Sequence, residues 1–319
     1  MKKISVVIPC YNSRANIEEI YCRVVAAINN LEEKYNYEII FADNASEDGS
    51  EYILRKLADK DKNVKVIINN KNFGAERSCT NAFLQCTGDA VIILASDLQD
   101  PPELIAEFVK YWEQGYKLVL GQKNSVQDKW LIKNFRKMYY GIMSYLAENG
   151  HIRDVTGFGL YDKEVMELLR WIEDPLPYTR GIICDFGYEI KLVRYDKLER
   201  KSGKSSYNFY RYFDTALWGI VSSSKKPLRW ITLCGITLTT IFLIVGIIGL
   251  VLYCMKQINL GILLSLVICN IMSWILLSIG IVAEYIGLLL IKNTKRPFTT
   301  SHYKYNFEEN IDSDKLYGH

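Results

Sequence analysis

The chain has 319 residues, with 39 Lys+Arg against 36 Asp+Glu, a formal net charge of +3, and 49% hydrophobic and 24% charged residues. These values exclude an intrinsically disordered chain and a small disulfide scaffold. A charge of +3 over this length is too weak for binding nucleic acid by bulk electrostatics, so no nucleic-acid partner is expected.

In chain order, residues 4–9 form a short apolar run that predicts a buried strand rather than a signal peptide. Residues 14–31 carry Ile17, Ile20, Tyr21, Val24, Val25 and Ile28 at helical spacing. Strands are expected at 37–42, 64–68, 90–95 and 117–121, with helices at 51–58 and 75–86 between them. Pro101 and Pro102 open a further helix, at a position where a missing N–H costs nothing. This alternation predicts an α/β domain with a mainly parallel, Rossmann-like sheet. Ligands of such sheets sit beyond the carboxyl ends of the strands. There the sequence places Tyr11 and Asn12, then Asp43 to Ser46, then Ser96 to Asp100, then Gln122 and Lys123. The first turn reads PCYNSRAN rather than GxGxxG, which argues against a dinucleotide-dependent dehydrogenase and a P-loop enzyme.

Residues 129–147 are amphipathic and aromatic, with Lys129, Lys133, Arg136 and Lys137 on the polar face; 207–221 form a second such stretch. Either they lie at a membrane surface or they cap the sheet core. Charges then nearly vanish over 231–255 and 260–283, each long enough to cross a bilayer. Lys225, Lys226 and Arg229 precede the first run, and Lys292, Lys295 and Arg296 follow the second. The positive-inside rule then predicts a hairpin with both termini cytoplasmic in a multi-pass inner or plasma membrane protein. The expected division is a catalytic-type domain at 1–206, an interfacial helix at 207–227, two transmembrane helices at 228–291 and a loosely ordered cytoplasmic tail at 292–319. Eight cysteines form no CxxC pair, so neither a zinc site nor a disulfide framework is expected.

The segments SVVIPCYN (5–12), ADNASEDGS (42–50), NFGAERS (72–78) and SDLQDPPE (96–103), followed by two apolar runs, resemble family 2 glycosyltransferases with a GT-A fold. Within that family the chain is similar to the polyprenyl-phosphate glycosyltransferases, the group of the bactoprenol glucosyltransferases and dolichyl-phosphate mannose synthases. The resemblance implies transfer of a sugar from a nucleotide-sugar, a UDP-hexose such as UDP-glucose, to a membrane-held polyprenyl (undecaprenyl) phosphate, with inversion at the anomeric carbon. It implies that Pro9, Tyr11 and Asn12 line the nucleotide pocket and that Asp43 meets the base or ribose. Asn44, Glu76 and Ser96 fall beside that pocket. Asp97 and Gln99 fall where the family holds Mg²⁺ or Mn²⁺ on the donor diphosphate. The chain departs from the family pattern at Ser13, Asn44, Ala95 and Gly159, where acids or, at 159, an arginine are frequent.

A leaving nucleoside diphosphate gains negative charge that a divalent ion or cations must neutralise, and Asp97 with Gln99 offers hard oxygen ligands for that ion. A phosphate acceptor needs cations more than a strong base. Lys123, Lys133, Arg136 and Lys137 are candidates, with Arg200, Lys204 and Ser205 in a loop similar to the family's RxxGxS. The same cations could instead contact anionic lipid headgroups. Asp154 precedes an expected turn at 157–159 and either orients the sugar or acceptor or caps the next segment. Self-association through the spans is compatible with this layout. A processive polysaccharide synthase fits less well, because Lys226-Pro227-Leu228-Arg229-Trp230 ends in RW without the Gln of QxxRW. A sugar-nucleotide-binding partner with weakened catalysis is the reading that Asn44, Ala95 and Gly159 motivate.

Overall fold

A computed structural model describes residues 1–124, 155–172, 183–184, 186–198 and 299–307, with scattered positions between 237 and 289. Eight strands form one sheet: β1 (Lys3–Cys10), β2 (Asn36–Asp43), β3 (Val64–Asn69), β4 (Ala90–Ile93), β5 (Leu118–Lys123), β6 (Val155–Asp162), β7 (Ile190–Tyr195) and β8 (Ser301–Tyr305). Their order across the sheet is β7-β5-β6-β4-β1-β2-β3-β8. The described helices are α1 (Arg14–Asn29), α2 (Ser50–Lys60), α3 (Ala75–Leu84), α4 (Ile105–Glu113) and α5 (Lys163–Trp171).

Alternate residues of the central strands enter two cores. Ile4, Val6 and Ile8 of β1 with Ile39 and Phe41 of β2 pack under α1, α2 and α4, against Ile17, Ile20, Leu54 and Phe108. Val7, Ile40, Ala42 and Ile67 face the other way, toward Ala82 and Phe83 of α3 and Val165, Met166 and Leu169 of α5. Burial on both faces is why these strands read as unbroken apolar runs rather than as alternating ones. At the amino end of the sheet a charge enters this interior. Glu38 of β2 is 1% exposed and sits between Lys65 Nζ at 2.8 Å and Lys3 Nζ at 3.0 Å.

The sheet corrects three expectations. It is mixed rather than mainly parallel: β1–β2, β1–β4, β2–β3 and β5–β7 run parallel, whereas β4–β6, β5–β6 and β3–β8 are antiparallel. Residues 157–159 are not a turn but part of β6, with Gly159 opposite both Ile93 and Leu120. A Cβ on Gly159 would stand 2.4 Å from the Val119 carbonyl oxygen, so the two strands approach too closely for any side chain there. The arginine frequent in the family has no room at this position. Finally, residues 301–305 of the expected loose tail form the edge strand β8. Ser301 is opposite Asn69 and Tyr305 opposite Val66, so the α/β domain does not end at residue 206. Smaller differences are that β4 stops at Ile93 and α3 at Leu84.

Candidate active site

The carboxyl ends of β1, β2, β3 and β4 lie side by side, because Cys10 is opposite Asp43 and Asp43 is opposite Ile68. Three loops there are tied together. Asn12 has a left-handed backbone (φ 50°), which asparagine tolerates better than most residues. Its N–H donates to Ser46 Oγ at 2.9 Å, and its Oδ1 accepts the Glu47 N–H at 3.0 Å. Ser13 Oγ and Ser96 Oγ share a hydrogen bond of 2.8 Å, and Asn16 Nδ2 donates to the Ser96 carbonyl at 3.1 Å. Pro9 is half-buried opposite Ala42, while Tyr11 is exposed at the rim. The structure therefore brings Pro9, Tyr11, Asn12, Asp43, Asn44 and Ser96 to one place. Glu76 stands on the first turn of α3.

Asp43 is the most buried acid of this group, at 1% exposure. Its oxygens accept the Ser46 N–H at 3.0 Å and the Ser46 hydroxyl at 2.5 Å. No cation pairs with it among the described residues. Burial raises its pKa above the ordinary carboxylate value; the Ser46 hydrogen bonds oppose this, and Asp48 and Glu51 add to it. Asp48 goes the other way. Burial would raise it, but hydrogen bonds from Ser50 and the Arg14 N–H hold it below the ordinary value. Buried Asp43 thus keeps acceptor capacity that the protein does not neutralise.

Asn44 uses both halves of its amide. Its Oδ1 accepts from Asn69 Nδ2 at 3.2 Å and the Phe73 N–H at 3.0 Å, and its Nδ2 donates to Asn72 Oδ1 at 2.9 Å. A carboxylate there could not make the last bond, which gives a physical reason for an amide at this position. Asn69, Asn72 and Asp48 join the site here, beside Ser46 of the Asp43 to Ser46 run that the sequence places beyond the second strand. Ser46 and Asp48 lie inside the ADNASEDGS segment and Asn72 opens NFGAERS, so the motifs already carried that signal.

The loop after β4 carries Asp97, whose Oδ1 accepts the Gln99 N–H at 3.2 Å. Leu98 is left-handed (φ 56°) with its side chain buried. The next acid, Asp100, is buried, and its Oδ1 accepts from the Tyr195 hydroxyl at 2.5 Å and faces Lys123 Nζ at 3.3 Å. Lys123, expected at an acceptor phosphate, thus has its ammonium against Asp100. Among the described residues no group of three or more His, Cys, Asp or Glu side chains could hold a metal ion. Asp97 and Gln99, half-buried beside the Ser13–Ser96 contact, still fit a hard cation whose remaining ligands are phosphate oxygens and waters, since Mg²⁺ needs only one or two carboxylates. Lys133, Arg136, Lys137, Asp154, Arg200, Lys204 and Ser205 lie outside the described residues. Among the described cysteines, Cys10, Cys22, Cys79 and Cys86 are free thiols. Burial, then Asp43, pushes the Cys10 thiol well up, which leaves it an inert packing residue.

A family model described as glycosyl transferase family 2 matches residues 5–169. The CsbB protein of Bacillus subtilis (strain 168), provisionally named a glycosyltransferase, is 32% identical over 320 residues, covering 98% of this chain and 94% of its own. The prophage bactoprenol glucosyl transferase homolog of Escherichia coli (strain K12) is 29% identical over 300 residues, covering 92% of this chain and 97% of its own. Among solved structures, glucosyl-3-phosphoglycerate synthase from Mycobacterium tuberculosis, crystallised with Mn²⁺, UDP and glucosyl-3-phosphoglycerate, matches at 17% identity and a TM-score of 0.44, covering 69% of this chain and 78% of that one.

Proposed function

Because the chain belongs to glycosyl transferase family 2 and is a glycosyltransferase that uses a nucleotide sugar, we propose that it moves a hexose from UDP-glucose or a related UDP-hexose to a polyprenyl phosphate, with inversion, at the cytoplasmic face of the membrane. The donor half of this reading, in a GT-A arrangement, is supported by the loops at the carboxyl end of the sheet. Asp43, buried with no cation beside it among the described residues, accepts hydroxyl or N–H donors from the nucleoside. Asp97 and Gln99 would hold Mg²⁺ or Mn²⁺. Such an ion, when bound, neutralises the charge that grows on the departing diphosphate. Ser13, Asn16 and Ser96 keep the β1 and β4 loops at one separation, so both ends of the donor meet preformed groups.

The acceptor half rests on a single observation: the way the chain returns to the sheet. After residues 199–298 the chain comes back at the same edge that carries the donor loops. The Asn70 N–H donates to the Thr300 carbonyl at 2.9 Å, and Asn70 Nδ2 donates to Thr300 Oγ1 at 3.0 Å. Both flanks of that interval thus belong to one sheet and lie in one compartment, which requires an even number of bilayer crossings. This is compatible with a hairpin anchor that keeps both termini on one side of the membrane, the cytoplasmic side in this proposal. No helix among the described residues is long and apolar enough to cross a membrane. Yet the described positions from 261 to 289 are all helical. Ile268, Ile271, Met272, Ile275, Ile279 and Val282 among them are exposed and spaced three and four residues apart, an apolar face suited to lipid. The relatives named for bactoprenol glucosyl transfer align along nearly all of this chain, which supports a polyprenyl phosphate as acceptor.

The test is a panel of nucleotide-sugars offered to the full chain in membranes with undecaprenyl phosphate, read by product mass. One UDP-hexose should yield a lipid carrying a single hexose, only when Mg²⁺ or Mn²⁺ is present. Binding of UDP-sugar with no lipid product from any donor would replace this reading with that of a sugar-nucleotide binder.

A further inference from the structure

Asp100 and Tyr195 meet no donor in the reading above, yet they close the far side of the loop that carries Asp97. Asp100 is 4% exposed, so its carboxylate needs partners, and it has two from different strands: the Tyr195 hydroxyl at the end of β7 and Lys123 Nζ at the end of β5. A backbone bond repeats the tie, since the Leu198 N–H donates to the Gln99 carbonyl at 2.9 Å. Tyr195 is itself held. Its ring meets Phe158 edge-on at 5.5 Å, and Phe158 packs on Phe108 at 4.9 Å. A Cβ on Gly121 would strike both the Tyr195 and the Phe158 rings at 2.9 Å, so the glycine makes space for the pair.

The other end of the loop is fixed as firmly, by Ser13 and Asn16 on Ser96. Only 97–99 remain between the two anchors, and they include left-handed Leu98. A non-glycine residue in that region is strained and persists only where its surroundings hold it. With Ala95 in place of a frequent family acid, the metal-holding set is reduced to Asp97 and Gln99, so affinity leans on how well those two are preorganised.

We propose that Asp100 and Tyr195 are positioning residues: they clamp the exit of the 94–100 loop, through β5 and β7, so that Asp97 and Gln99 hold one geometry for a divalent ion on the donor diphosphate. The proposal rests on the reading that Asp97 and Gln99 take that ion.

The experiment is titration calorimetry of UDP on the full chain, with and without Mn²⁺, for wild type, Tyr195→Phe and Asp100→Asn, alongside thermal unfolding. Tyr195→Phe removes one hydroxyl and keeps the ring packing, so it remains informative if Asp100→Asn fails to fold. Both variants should bind UDP without metal as wild type does, and the tightening produced by Mn²⁺ should fall about tenfold. The half-saturating Mn²⁺ concentration should rise by a similar factor. An undiminished Mn²⁺ effect in Tyr195→Phe overturns the proposal, as does an equal loss of metal-free UDP binding, which would mark a merely structural role. A wild type whose UDP affinity ignores Mn²⁺ overturns the metal reading itself, and this inference with it.

Discussion

Strand β2 buries a carboxylate at each end, and the two are treated oppositely. At the amino end Glu38 has Lys65 and Lys3 beside it, accepts the Ser5 hydroxyl at 2.5 Å and the Thr87 N–H at 2.7 Å, and is lowered from 4.5 to about 2. Burial alone would raise it; the hydrogen bonds from Lys65, Ser5, Thr87 and Lys3 outweigh that. At the carboxyl end Asp43 has, among the described residues, only Ser46 as a donor, and its pKa is raised by burial. Glu38 is satisfied by the protein and has nothing left to offer a ligand. Asp43 is left short of donors where three loops converge. Burial by itself is therefore no mark of function; burial without compensation at the open end of a sheet is.

The largest break in that contrast comes from Glu38→Gln. It leaves Lys65 facing a neutral amide in a dry site, and removing one partner of such a pair costs roughly 3–5 kcal/mol. Chemical denaturation of the full chain should show that loss while UDP affinity stays as in wild type. A matching fall in UDP affinity would erase the distinction between the two ends. Acid titration sharpens it next. Glu38 is lowered by folding, so its contribution is full above pH 4.5 and is lost as pH falls toward about 2, a window worth about 3 kcal/mol. The stability gap between wild type and Glu38→Gln should close across that window. Asp43 is raised by folding, so its sign is reversed: its charge costs stability at neutral pH, and the cost fades as the carboxylate takes up a proton. The smallest effect follows from Asp43→Asn. UDP affinity should fall about tenfold, with the unfolding midpoint unchanged or slightly raised. A lowered midpoint with intact UDP binding would make Asp43 a second Glu38.

Strands β1 to β5 and helices α1 to α4 were legible in the sequence because strands buried on both faces, and helices packed on them, carry plain apolar periodicity. The remainder failed for physical reasons that differ by element. β6 contains Gly157 and Gly159, which read as a turn. In the sheet Gly157 takes a positive φ of 92° where the β5–β6 register shifts, and Gly159 permits close strand approach. β7 and β8 are edge strands, IKLVRY and SHYKY, whose polar residues meet solvent and dilute the strand signal. α5 carries its own start signal in Asp162, whose side chain accepts the Glu164 N–H at its first turn. Within the site, the residues following β1, β2 and β4 could be placed because they lie next to recognisable strands. The hydrogen bonds among the Asn44, Asn69 and Asn72 side chains and the Tyr195–Asp100 tie could not, since each joins segments far apart in the chain. Even Asn44 and Gly159, departures visible at once, needed the amide hydrogen bonds and the strand geometry before either had a cause.

The position of β8 imposes an order on biogenesis. The flank of β3 that accepts it is made early, whereas residues 301–305 leave the ribosome only after the apolar runs at 231–255 and 260–283. At roughly 5–20 residues per second, the nascent domain waits on the order of 10–50 s with an unpaired strand edge. Such an edge invites pairing with another chain until residues 301–305 cover it. The last strand then works as a latch, completing the sheet only once residues 199–298 have been made.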